Sequence, residues 1–411
     1  MNILYIDHYA GSPEMGMEFR PYYLSQEWIK RGHSVIIIAG DYSHLRKKNP
    51  IVEKDFSSEE VDGIEYLWVK TGKYSGNGMK RALTMERFVR KLYLHAKRIA
   101  KEWKPDVVIA SSTYPLDTYP AQKIAKKAKA KYIHEVHDMW PATLYEVGGM
   151  SKNHPFVVVM QIAENSAYKH ADAVVSLLPC AKEYMENHGL RKNRFFHVPN
   201  GIVTEEWEDS KPLPEGHAEL LKQLHDKGKF IVGYFGGHAL SNCLSTLVEA
   251  AAQTKEKDIH FVLVGDGVEK ENLKQSAQGM TNVSFLPAVN KKAIPTLTKE
   301  FDCIYIGAKN SPLYRFGVCM NKIYDSMMAG KPAVVAINAP FTPLEECGSG
   351  LIVPPEDAGA IVRAILQIKS MSVEERKAMG EKGRIEATTK YTYRELAQQF
   401  VEIMEKSRSI V

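Results

Sequence analysis

The stretch from Phe316 to Pro332, FGVCMNKIYDSMMAGKP, sets Lys322 and Asp325 three residues apart at the start of a short helical pattern. That pattern stops at Ala329-Gly330. A helix N-terminus carries free N–H groups and a partial positive charge, so it attracts phosphate. A lysine there adds a mobile full charge. An acid one turn further in suits a pair of sugar hydroxyls, as the ribose-binding acids of dinucleotide folds do. Together these groups fit a nucleoside diphosphate. Asn321 stands where it could cap the helix, and Arg315 lies just upstream. The plainer alternative is a solvated i,i+3 ion pair.

Other chemistry-bearing residues fall between apolar runs. Gly11-Ser-Pro-Glu-Met-Gly16 follows the first run and lets backbone approach a phosphate or sugar, or is a plain turn. It lacks the GxGxxG pattern of a nicotinamide dinucleotide site. His137-Asp138 follows KYIHEV; a histidine there either caps the loop or hydrogen-bonds a substrate hydroxyl. Gly236-Gly237-His238 has the makings of a nest of backbone N–H groups, or of a tight turn. Gly265-Asp266-Gly267 and Asn200-Gly201 are further candidates for ligand-side turns. No DxD-like pair of acids stands out, so neither a metal nor another cofactor is expected.

The elements that must position these residues alternate. Apolar strands are expected at Asn2–Asp7, Ser34–Ala39, Ile64–Val69, Pro105–Ser111, Lys131–Val136 and Ala173–Leu178. Helical patterns separate them, at Met17–Arg31 and Met79–Trp103 among others. The alternation restarts at Phe230–Phe235 and continues through His260–Val264, Val283–Leu286, Cys303–Ile306 and Ala333–Val335. Strands spaced by helices imply parallel sheets covered on both faces. The expected organisation is a doubly wound domain over 1–203, a polar linker over 204–228, a second such domain over 229–390, and a C-terminal helix over 391–411 that packs back on the first. Ligands of such sheets bind beyond the carboxyl ends of the strands. The turns named above all lie there.

The bulk composition is that of a globular protein of two or three domains: 411 residues, 44% apolar and 25% charged. Five widely spaced cysteines without a CxxC read as reduced thiols in a cytosolic protein. The chain begins directly on a strand, with no signal sequence or membrane-spanning run expected. The charge is uneven. Residues 1–200 hold 29 Lys and Arg against 22 Asp and Glu, whereas residues 201–411 hold 25 against 27. In the helix Met79–Trp103 an apolar stripe including Phe88, Leu92 and Ile99 is flanked by Arg90, Lys97 and Lys101. Such a helix has a solvated basic exterior, or touches anionic lipid. Nothing in the chain carries the aromatic-and-basic interleaving of a nucleic-acid binder.

The chain resembles the family 4 glycosyltransferases, which have the GT-B fold: two facing Rossmann-like domains with an interdomain cleft. The resemblance covers nearly the whole chain. It rests on Lys30-Arg-Gly-His-Ser-Val35, His137-Asp138, Val198-Pro-Asn-Gly-Ile202, Gly265-Asp266-Gly267 and Met328-Ala-Gly-Lys-Pro332, in that order. The NKIYDSMMAGKP version looks like the bacterial branch of N-acetylfucosaminyltransferase-like enzymes of surface polysaccharide assembly, such as O-antigen and capsule. The resemblance implies retaining transfer; the expected donor is a UDP-sugar, and the lack of a DxD-like pair leaves no metal expected. His137 would contact the donor sugar, Asp325 the ribose, and the Gly11–Gly16 loop the phosphates. The basic balance of residues 1–200 and of the Met79–Trp103 helix is the ground for expecting a lipid-diphosphate-linked or saccharide acceptor and an enzyme at the inner face of the cell membrane, held to an anionic surface by its first domain. This chain departs from the family at Gly237 and Asn242, where relatives carry Arg and Lys, and at Gly317, where they carry an acid. Lys322, with Arg315 and His238, would supply the missing charge. The rival readings are a UDP-N-acetylglucosamine 2-epimerase and a non-catalytic sugar-nucleotide-binding protein.

Overall fold

The computed structural model describes residues 1–76 and 78–406. The chain divides into two compact units. One is formed by residues 1–200 with the C-terminal segment from Tyr393, the other by Gly201–Thr392.

The first unit is built on an eight-stranded sheet. Its strands are β1 (Asn2–Ile6), β2 (Ser34–Gly40), β3 (Ser57–Val61), β4 (Ile64–Val69), β5 (Val107–Ala110), β6 (Lys131–Val136), β7 (Ala173–Ser176) and β8 (Phe195–His197). Their order is β3-β4-β2-β1-β5-β6-β7-β8. All neighbours run parallel except the β3–β4 hairpin. The central strands are apolar along their length because helices cover both faces. The two edge strands escape a reading by hydrophobic pattern: β3 is SSEEV and β8 is only three residues long. Short or charged edges resist unwanted pairing. The helix Met79–Trp103 buries Met85, Phe88, Leu92, Ala96 and Ile99, the stripe its period predicts. The first helix spans Arg20–Lys30, starting three residues later than its sequence pattern. Against it packs the helix Tyr393–Lys406. The Trp28 and Phe400 rings meet at 5.2 Å, and Trp28 Nε1 donates to Ala397 O at 3.1 Å.

The second unit has six parallel strands: β9 (Phe230–Phe235), β10 (Ile259–Val264), β11 (Val283–Leu286), β12 (Cys303–Gly307), β13 (Ala333–Ala336) and β14 (Gly350–Val353). Their order is β11-β10-β9-β12-β13-β14. In each sheet the first strand has neighbours reached from opposite directions, β2 and β5 around β1, and β10 and β12 around β9. The carboxyl ends of those strands open the crevice where such sheets bind ligands.

One expectation is corrected in this unit. Residues 204–228 form two helices, Thr204–Glu208 and Glu215–Asp226, where a linker was expected. Leu221 and Leu224 are buried in the core of the second unit, a short apolar stripe hidden among Glu, Lys and Gln. The helix Asn321–Ala329, which carries Lys322, is held from beneath by the helix Val373–Lys390. Their approach is close because residue 380 is glycine: a Cβ there would lie 2.0 Å from Gly330 O.

Candidate functional site

In the second unit, Lys322 stands in the first turn of the helix Asn321–Ala329. The residue preceding that helix, in extended backbone, is Met320, so Asn321 is the first helical residue rather than its cap. The Lys322 ammonium is partly buried and donates to Tyr234 OH at 3.1 Å and Asn242 Oδ1 at 2.8 Å. Tyr234 comes from β9 and Asn242 from the turn after it. Both turn back to one carbonyl: Tyr234 OH donates to Gly237 O at 2.7 Å and Asn242 Nδ2 at 2.8 Å. Among the described residues no carboxylate pairs with Lys322. Burial pushes its amine down to about 8. An ammonium has three N–H bonds, and two are taken here. The third has no partner among the described residues.

The Gly236-Gly237-His238 turn is tied down by its neighbour strand. Gly236 N donates to Val264 O at 3.0 Å, and His238 N to Asp266 O at 2.8 Å. In this turn, among the described residues, only the Gly237 N–H lacks a partner, so one donor remains where a nest of several was expected. The Gly265-Asp266-Gly267 turn fits against it. Gly265 sits at φ +153, and a Cβ on it would lie 1.8 Å from Gly236 O. Its carboxylate neighbour Asp266 is held by Lys270, Nζ to Oδ1 2.6 Å. A cavity lined by Phe235, Gly236, Gly237, Gly265, Val289 and Ile294 opens beside both turns.

His238 does not supply positive charge. Its ring is fully buried with both nitrogens unpartnered, and burial, helped by Lys270 and Lys322, lowers it to about 4. Arg315 is exposed in the short turn Pro312–Phe316, donating to Pro312 O at 2.6 Å with its guanidinium 4.2 Å from the centre of the Phe316 ring. Asp325 lies one turn along from Lys322 and has no hydrogen-bond partner among the described residues. Burial pushes its carboxyl up to about 6; Lys291 opposes this and Glu206 adds to it.

In the first unit, His137 follows β6 at the crevice between β1 and β5. Its Nε2 lies 2.7 Å from Ser111 Oγ and 3.3 Å from Glu135 Oε2. Ser111 Oγ donates to the same Glu135 oxygen at 2.7 Å. With its one proton given to Glu135, the serine accepts from Nε2–H, and Nδ1 has no hydrogen-bond partner among the described residues. Glu135 also accepts from Tyr5 OH and from Arg20 Nε, the latter at 2.9 Å. Burial would lower the His137 imidazole, but the Glu135 hydrogen bond and charge, with Glu18 and Asp7, raise it above its ordinary value. Burial alone would raise Glu135, yet Arg20 and His137 together hold it well below the carboxylate range. Asp7, at the end of β1, is pushed up to about 7 by burial, with His137 opposing.

The Gly11–Gly16 loop folds on itself. Gly11 N donates to Glu18 O at 2.8 Å and Gly16 N to Ser12 O at 2.8 Å, so neither glycine amide is offered to a ligand. Asn200 is buried at the end of the first unit, beside the Val198 and Pro199 carbonyls that accept from Arg20.

Sequence reasoning missed Tyr234, Glu135, Arg20 and Ser111, and met Asn242 only as a departure from the family pattern. One signal was available: a glutamate inside the apolar strand KYIHEV demands a buried partner.

Residues 15–201 match the glycosyl transferase 4-like domain and residues 229–370 the glycosyl transferases group 1 domain. The chain belongs to the family 4 glycosyltransferases. This glycosyltransferase is 23% identical over 278 residues to the putative colanic acid biosynthesis glycosyl transferase WcaI of Escherichia coli K12, covering 65% of this chain and 67% of WcaI. Its fold is shared by sucrose-phosphate synthase from Thermosynechococcus elongatus, with TM-score 0.76, 17% identity and full coverage of both chains. It is also shared by HepE of Anabaena in complex with UDP and glucose, with TM-score 0.67, 17% identity, and 98% and 99% of the two chains covered. Among the described residues no helix is long and apolar enough to cross a membrane.

Proposed function

We propose that this glycosyltransferase moves a sugar, with retention and without a metal, from a UDP-sugar to a lipid-diphosphate-linked or saccharide acceptor in surface polysaccharide assembly. The observation that carries this reading is the Lys322 ammonium. It is part-buried, has only neutral partners, and keeps one N–H in reserve beside the unpartnered Gly237 N–H. Leaving a charge without a counter-ion is costly unless an anion arrives. A diphosphate meets both donors. The uracil would take the apolar cavity beside Gly237, and Asp325, without a partner of its own, the ribose hydroxyls. The complex of HepE with UDP and glucose supports a UDP donor by analogy, and WcaI a polysaccharide role. The N-acetylated hexosamine or deoxyhexosamine identity of the sugar rests on the resemblance of the NKIYDSMMAGKP stretch.

In the reaction the bond from the sugar's C1 to the β-phosphate oxygen breaks. The acceptor oxygen bonds C1 on the same face, and its proton passes to the departing phosphate. Lys322 and Gly237 N–H stabilise the charge that grows on that phosphate. His137 Nδ1–H would donate to a hydroxyl of the transferred sugar. Lys322→Ala is expected to lower kcat/KM by roughly 10²-fold or more. Thermal shift across UDP, GDP, ADP and dTDP tests the base. If UDP gives no shift while another nucleotide does, the UDP assignment fails; turnover without release of any nucleoside diphosphate would end the transferase reading.

The membrane part rests on the helix Met79–Trp103. Leu83 and Leu94 are exposed there, at 45% and 65%, among Lys80, Arg90, Lys97 and Lys101. Apolar side chains framed by basic ones suit an anionic lipid surface. Sedimentation with liposomes should depend on their anionic lipid content; binding indifferent to lipid charge would remove this part.

A further inference from the structure

We propose that Asn242 and Tyr234 are positioning residues for the donor diphosphate: they hold the Lys322 ammonium by two of its three N–H bonds and aim the third, with Gly237 N–H, at a phosphate oxygen. The inference rests on the donor site proposed above.

The hydrogen-bond bookkeeping of this cluster leaves little choice. Lys322 can only donate, and Gly237 O can only accept. A side chain that touches both must accept from the first and donate to the second. Asn242 does so through Oδ1, 2.8 Å from Lys322 Nζ, and Nδ2, 2.8 Å from Gly237 O. Its amide orientation is therefore fixed by its partners. Tyr234 does the same with one hydroxyl, accepting from Lys322 at 3.1 Å and donating to Gly237 O at 2.7 Å. The tyrosine ring adds a face 4.8 Å from the ammonium, a stabilising cation–π arrangement.

Two features make this an anion holder rather than a structural lysine. First, every partner is neutral, so the cluster keeps a net positive charge. An acid at 242 would neutralise it. Second, the cluster fixes the backbone next to the charge. A Cβ on Gly236 would lie 3.6 Å from Lys322 Nζ, so the ammonium lies against the Gly236-Gly237 peptide. Gly236 O points into the Gly265 turn. In a trans peptide the N–H of Gly237 points the opposite way, out of that turn. A phosphate oxygen reaching both donors needs no rearrangement of either.

Aspartate or phenylalanine substitutions separate this role from mere scaffolding. Asn242→Asp replaces the amide by a carboxylate of equal size that pairs with Lys322. UDP, and pyrophosphate as a base-free probe, should then bind about 100-fold more weakly at pH 7. The pH above which binding fades should also move up, because the carboxylate holds the proton on the amine. Tyr234→Phe keeps the ring and removes the hydroxyl. Binding should weaken about tenfold, and the fade should begin at lower pH. Opposite displacements of the pH profile are not produced by general loosening of the fold. Titration calorimetry of the full chain from pH 6.5 to 9.5 reads both. The double variant Asn242→Lys with Lys322→Asn exchanges the two partners and should recover part of the affinity lost in Lys322→Asn alone. If Lys322→Asn binds UDP as the wild type does, the donor-site reading itself is wrong. If Lys322→Asn loses binding but Asn242→Asp keeps both the affinity and the pH profile, only the positioning role is wrong.

Discussion

Arg20 and Glu135 form an ion pair, Nη2 to Oε1 2.9 Å, in which neither side chain has any solvent exposure. The arginine also donates to the carbonyls of Val198 and Pro199, while the glutamate accepts from Tyr5 and Ser111. A buried pair of this kind is weak evidence for stability as a whole, since desolvation offsets the attraction. Removing one partner is a different matter, because the other charge is left stranded. Arg20→Met is expected to destabilise the protein by about 3–5 kcal/mol in denaturant unfolding. Replacing both partners together should cost less than the two single changes summed. A loss below about 1 kcal/mol for Arg20→Met would show that water or another cation compensates Glu135.

The same glutamate sets the charge of His137. Its hydrogen bond and charge outweigh burial and raise the imidazole above its ordinary value. A raised pKa means that the charged form is favoured by folding. The stability it contributes is full below the unfolded value of 6.5 and is lost as pH rises through the higher folded value. Glu135→Gln should lower the His137 titration seen by NMR. An unchanged titration in that variant would assign the shift to Glu18 and Asp7 instead.

Lys322 carries the opposite sign. Its amine is lowered from 10.5 to about 8 by burial, so folding works against its charged form. The cost is present below about pH 8 and fades as pH rises towards 10.5. Lys322→Met should therefore raise the melting temperature at pH 7, by roughly 2–4 °C, while abolishing transfer. Diphosphate binding should restore the proton, so UDP binding takes up protons near pH 8.5 in buffers of different ionisation enthalpy. Binding with no proton uptake across that range would separate Lys322 from the diphosphate.

Gly380 tests the support beneath that lysine. Glycine inside a helix is ordinarily a weakness, and alanine would gain about 1 kcal/mol by helix propensity. Here the added Cβ would lie 2.0 Å from Gly330 O, at the end of the helix that begins with Asn321. Gly380→Ala is expected to destabilise by about 1–3 kcal/mol and to raise KM for the donor through displacement of Lys322. A stabilised variant with unchanged KM would show that the two helices can part without consequence.

Much of the architecture was legible from hydrophobic period alone. Ile64–Val69, Lys131–Val136, Phe230–Phe235 and Val283–Leu286 are strands with those limits, and the C-terminal helix runs Tyr393–Lys406 as its stripe indicates. These features are local: each depends on the spacing of apolar residues within a few turns or pleats. Polar edge strands such as SSEEV carry no such signal. The Glu215–Asp226 helix was hidden because only a few of its residues face a core.

The sequence by itself determined that the chain alternates strands and helices in two doubly wound sets, and that lysine, acid, glycine and histidine would gather at strand ends. Tertiary structure alone decided which of them meet. Lys322 finds Tyr234 and Asn242 across 88 and 80 positions, and Arg20 finds Glu135 across 115. Partners so far apart are chosen by strand order, which follows from the burial of every strand at once. Whether a charge is neutralised, left waiting or turned inward is settled by that choice, and no local pattern records it.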